Sequence, residues 1–117
     1  MPEPTHNTRY LDALTQRILV FDGAMGTNSQ RQNLTPAQFG GERTFGCNDY
    51  LVLTYPLAVE KVHRSFLEVG VDVIETCTFR ANRLTLGEYD RDDQTDAINQ
   101  AAAAPASRLA DEYPTPQ

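Results

Sequence analysis

Two short apolar runs with a helix pattern between them constrain the fold of this 117-residue chain more than any other feature. The first, ILVF at 18–21, is too short and too continuous for an amphipathic helix. It suits a strand buried on both faces, as in a parallel sheet. The second, VDVIET at 71–76, is rich in β-branched residues and reads as another strand. Between them LTYP announces a helix, with Thr54 as candidate N-cap and Pro56 in the first turn. Val59, Val62, Phe66 and Val69 then recur at helical spacing and form one apolar face. Gly70 suits the residue after the helix, where φ is often positive. Strand, loop, helix and strand in this order imply parallel pairing through a crossover helix. The expected class is α/β.

The length allows one small domain and not two. Residues 1–8, rich in Pro, Thr and Asn, read as a disordered tail, which leaves 9–117 for the domain. Tyr10, Leu11 and Leu14 predict a short helix over 8–17. Residues 27–50 admit a helical turn near Thr27, but Asn33, Pro36, Gly40, Gly41 and Gly46 interrupt any long element. A connection of this length inside a compact domain is usually functional or disordered. TFRANRLTLGEYD is a polar connection with a helical turn, and a third helix is expected over 92–112. The acid cluster at 90–93 reads as its solvated start. Pro105 lies in the middle of that helix. An interior proline removes a backbone hydrogen bond at a cost of roughly 3 kcal/mol, so a kink or split is expected there.

Charge and cysteine content exclude several functions. A net charge of -6 and a pI near 4.7 argue against nucleic acid or an anionic membrane as partner. No run reaches membrane-spanning length, and MPEPTHNTRY lacks the apolar stretch of a signal peptide, so a cytoplasmic location is expected. Cys47 and Cys77 form neither a disulfide framework nor a CxxC pair, and His6 and His63 are not at metal-ligand spacing with them. Both thiols are expected to be reduced and ordinary, and His63 to be a packing residue.

The chemistry gathers where the two strands end. Side chains alternate along a strand, so each run carries a carboxylate near its C-terminal end, Asp22 and Glu75. In parallel α/β folds ligands bind at that end. Asp22 and Glu75 on one rim can hold an ammonium group or act as acid and base. The Gly23-Ala24-Met25-Gly26 turn adds backbone amides that a ligand can approach closely. Carboxylates beside amides suit a zwitterion such as an amino acid. The plainer alternative for Glu75 is a solvated strand end or a partner for Arg80 or Arg83. A generic phosphate-binding α/β protein is a weaker alternative, because the turn lacks a P-loop lysine and any GxGxxG pattern.

FDGAMGT at 21–27, GCNDYLVLT at 46–54 and VHRSFLEVGVDVIETCTF at 62–79 together resemble the homocysteine-binding module of the homocysteine S-methyltransferases. The resemblance covers about residues 16–100, and GCNDYLVLT leans towards the cobalamin-dependent methionine synthases rather than the betaine enzymes. It implies a (β/α)8 TIM barrel with homocysteine at the C-terminal rim. It also implies a zinc ion on three cysteines that activates the substrate thiol, and a methyl group from methylcobalamin carried, like folate, by other modules. Asp22 matches the aspartate that contacts the substrate amino group, Gly23 and Ala24 the turn facing its carboxylate, and Glu75 and Thr76 the segment lining the pocket. Neither Cys47 nor Cys77 matches a zinc ligand, so the metal and catalytic positions are expected to lie outside this chain. Cys77 stands where many relatives have Asn, and Leu57 replaces a common glutamate, which removes a capping box.

A (β/α)8 barrel needs about 250 residues. The chain therefore reads as the N-terminal part of one, the first two βα units only, inactive by itself and dependent on the missing barrel half. A degenerate reading frame and a non-catalytic partial barrel that pairs with a separate chain are the alternatives. Betaine or S-methylmethionine as methyl donor also stays open.

Overall fold

The computed structural model describes residues 8–113. The tail expected over 1–8 lies outside them apart from Thr8. Thr8 opens α1 (Arg9–Gln16): its carbonyl accepts the Asp12 amide at 2.8 Å, and its hydroxyl donates to the Asp12 carboxylate. No residue of α1 is buried, and Tyr10 meets Phe21 edge-on at 6.1 Å between ring centres.

The two apolar runs come together, but as a single parallel bridge between Phe21 and Val73 rather than a ladder. The Asp72 and Val73 amides donate to the Val20 carbonyl, and the Asp22 amide donates to the Val73 carbonyl at 3.1 Å. The expectation that 18–21 is buried on both faces does not hold here: Ile18 is 89% exposed, and Val20 and Phe21 are also open. A parallel strand is buried only when further strands and helices cover it. Among the described residues α1 reaches this run through Tyr10, and the main core packs elsewhere.

Beyond the bridge, α2 (Met25–Gln30) starts two residues before the turn expected at Thr27. Residues 31–50 then form 3-10 turns held by their own side chains. Thr35 and Gln38 make a reciprocal capping box around Pro36–Phe39. The buried Thr44 hydroxyl donates to the Phe39 carbonyl. At Gly40 φ is +89°, and a Cβ there would meet the Thr54 side chain at 3.0 Å. The long connection is thus an ordered packing element.

The short α3 (Leu51–Thr54) occupies the expected N-cap position, so Thr54 ends one helix instead of capping the next. Tyr55 precedes α4 (Pro56–Glu68), which opens on Pro56 without a side-chain cap. Val59 and Val62 are buried and Phe66 is half-buried, as the spacing predicts. Val69 lies one residue past the helix end, off that face, and is 80% exposed. After α5 (Arg83–Gly87) and a 3-10 turn at Asp92–Gln94 comes α6 (Thr95–Glu112), unbroken through Pro105. Of the expected kink or split, the split does not occur. Pro105 and Ala106 are buried and α6 packs along α4, which offsets the lost hydrogen bond.

The main core joins Leu51, Val59, Leu86, Ile98 and Ala102 with both cysteines. A smaller cluster holds Leu67, Val71 and Leu109. Among the described residues no helix is long and apolar enough to cross a membrane.

Candidate functional site

Where the bridged segments end, the backbone opens into a cavity of about 360 Å³. Its walls come from residues 22–26, 46–49 and 75–80, with Thr85, Leu86 and Tyr89 closing it. Asp22, Gly23, Ala24, Glu75 and Thr76 all line it, although the last two lie more than fifty positions from the first three. The bridge explains the meeting. It pairs Phe21 with Val73, which brings Asp22 alongside Glu75, and Asp22 Oδ1 then accepts the Glu75 amide at 3.0 Å. Of the readings of the Glu75 side chain, pairing with Arg80 or Arg83 is not what the structure shows: Arg80 reaches Glu88 at 3.4 Å, and among the described residues no ion pair joins Glu75 to Arg83. Glu75 is exposed beside Asp22.

Burial raises the Asp22 carboxyl above its ordinary value, the Glu75 amide opposes this, and the negative charge of Glu75 adds to the rise. Desolvation disfavours a charge, so a cation entering the cavity relieves Asp22. The turn after Asp22 is shaped by Ala24, which takes a left-handed conformation with φ 52° and ψ 36°. That is uncommon for a residue with a Cβ and costs of order 1–2 kcal/mol. Gly23 has open space where a side chain would stand, so a ligand can reach its backbone. At Gly26 a Cβ would meet the Asn48 amide nitrogen at 3.3 Å, which brings the 46–49 wall close to the turn.

That opposite wall was not anticipated from the residues. Asp49 is buried, 7% exposed, and its Oδ2 accepts the Arg80 amide at 2.7 Å. Its Oδ1 accepts the Cys77 thiol at 3.6 Å. Burial raises the Asp49 carboxyl, against the opposing Arg80 amide. Burial also raises both thiols, and for Cys77 the Asp49 charge pushes in the same direction. Cys47 and Cys77 are free and buried. The signal for Asp49 was present in GCNDYLVLT, an acid set between a glycine turn and an apolar run.

Among the described residues no group of three or more His, Cys, Asp or Glu is placed to hold a metal ion. Burial raises both site thiols above their ordinary value, and His63 lies buried in α4 outside the cavity. Zinc needs deprotonated thiolate or neutral imidazole ligands converging on one point. Among the described residues no such set is present.

The family model described as homocysteine S-methyltransferase matches residues 19–117. The chain is 43% identical over 111 residues to methionine synthase of Mycobacterium tuberculosis and 42% identical to that of Mycobacterium leprae. Each match covers 95% of this chain, which spans only 9% of the length of either relative. With the strand-end carboxylate, the glycine turn and the facing segment around one cavity, these matches leave no doubt of ancestry: the chain belongs to the homocysteine S-methyltransferase family.

Proposed function

We propose that this cavity is the homocysteine pocket of a methionine synthase-type methyltransferase, which forms methionine by methyl transfer to the substrate thiol. The observation that carries the reading is the convergence of Asp22, Gly23, Ala24, Glu75 and Thr76 on one cavity with room for an amino acid. In this reading Asp22, with Glu75 beside it, takes the substrate ammonium group. The amides of Gly23 and Ala24 face its carboxylate, and Thr76 lines the pocket. This chain binds and orients the substrate; zinc, methylcobalamin and the folate chemistry belong to other parts of the parent protein. The described segments correspond to the first two βα units of a (β/α)8 barrel. The open apolar residues of 18–21 support this, because they are what an interior strand exposes without its neighbours. A cytoplasmic location fits the reading.

The test is a titration of L-homocysteine into the chain, followed by the amide resonances of residues 22–26. They are expected to shift on binding. Asp22→Asn removes a charge-assisted contact and is expected to weaken binding about tenfold or more. Unchanged affinity in that variant would remove Asp22 from the pocket, and no shift at all would remove the pocket.

A further inference from the structure

Asp49 is a buried carboxylate that enters no ion pair among the described residues. Its partners are a backbone amide and a thiol, contributed by residues 31 and 28 positions away. Burying a carboxylate is costly, and an amide or apolar side chain would fill the same wall at lower cost. The carboxylate therefore calls for a reason that lies in its partners. One is the Arg80 amide, at 2.7 Å, which ties residues 77–80 to the 46–49 wall. The other is the Cys77 thiol, 2% exposed, whose sulfur also lies 3.8 Å from the Asn48 carbonyl. Both oxygens within reach of that sulfur accept hydrogen bonds, so the surroundings favour S–H over thiolate. The titratable groups acting on Cys77 are Asp49 and Cys47, and neither stabilises its anion. The positive charge of Arg80 is directed to Glu88.

We propose that Asp49 is a positioning residue of this site: it clamps residues 77–80 across the cavity and holds Cys77 as a hydrogen-bond donor, so that the protein thiol does not act as a second sulfur nucleophile. The functional meaning rests on the homocysteine reading, in which the substrate thiol alone should react. A thiolate attacks electrophiles and binds soft metals, whereas a thiol held as a donor does neither.

The experiment is alkylation of the whole chain by iodoacetamide across a pH series, with Cys47 and Cys77 resolved by mass spectrometry. Each thiolate displaces iodide, forms a carbon–sulfur bond and leaves its proton in the buffer. In the wild-type chain Cys77 is expected to stay unreactive through the region around pH 8.5 where an ordinary thiol titrates. Asp49→Asn keeps an oxygen for the Arg80 amide and removes the charge. It is expected to speed Cys77 alkylation about tenfold or more at fixed pH, and to speed Cys47, which feels the Asp49 charge but makes no hydrogen bond to it, clearly less. An ordinary thiol profile at Cys77 in the wild type overturns the proposal, and that measurement does not depend on the variant folding. Equal acceleration at both cysteines, or none at either, also overturns it. The assay contains no substrate, so failure of the homocysteine reading would show in the titration of residues 22–26 and not here.

Discussion

Asp22 joins two segments through one carboxylate oxygen, while His63 joins nothing. The contrast shows what burial does to polar groups. Asp22 keeps one side open to the cavity, and its amide contact with Glu75 leaves room for a further cation. His63 is fully buried in α4, with neither ring nitrogen hydrogen-bonded. Burial lowers its pKa, and the charge of Glu60 opposes this only in part. The native form therefore resists a proton that the unfolded chain accepts near the ordinary value of about 6.5. The chain is expected to keep its full stability above that pH and to lose it as the pH falls, by at most about 1.4 kcal/mol per pH unit from this group. Urea unfolding of wild type and His63→Leu on both sides of that value checks this. If the two lose stability in parallel on acidification, His63 is not the source. The packing role of His63 could be read from its place beside an apolar helix face. The role of Asp49 could not, since it depends on an amide 31 positions away.

Among the elements, α4 was the most legible, because Pro56 and the apolar spacing both act within a few residues of where they are written. Legibility stopped at its ends. Thr54 caps nothing because α3 had already taken it, and Val69 falls outside the last turn. Pro105 shows the same limit: its local cost is real, but α6 buries it and runs on. Beside the bridge between the two apolar runs, Asp72 accepts Arg17 at 2.6 Å and the Val20 amide at 2.9 Å. The Val20 contact, then Arg17, lowers the Asp72 carboxyl below its ordinary value. The attachment is therefore present at neutral pH and is lost as the pH falls through that lowered value. Asp72→Ala is expected to speed hydrogen exchange at the Asp22 and Val73 amides while the α4 amides keep their protection. Unchanged exchange at Asp22 would mean that the bridge holds without the side chain.

For the whole molecule, the centre of packing lies among α3, α4, α5 and α6 and not along the two apolar runs. Ile98 is fully buried, and its truncation to Ala is expected to cost about 2–5 kcal/mol. Val20 is more than half exposed, and Val20→Ala is expected to fall within about 0.5 kcal/mol of wild type. Chemical denaturation of the two variants checks the contrast. A large loss at Val20 would mean that this run is covered in solution.

The chain by itself determined what short-range chemistry can determine. This includes α4 with its proline start, the turn after Asp22, the balance of charge, and motifs specific enough to declare the family. Tertiary structure decided which polar groups are buried and what they hold. The links from Asp22 to Glu75 and from Asp49 to Arg80 and Cys77 span 53, 31 and 28 positions. Propensity and periodicity act within a few residues. Desolvation and long-range hydrogen bonds depend on what the fold sets opposite, so the far wall of the cavity emerged only once the chain had closed on itself.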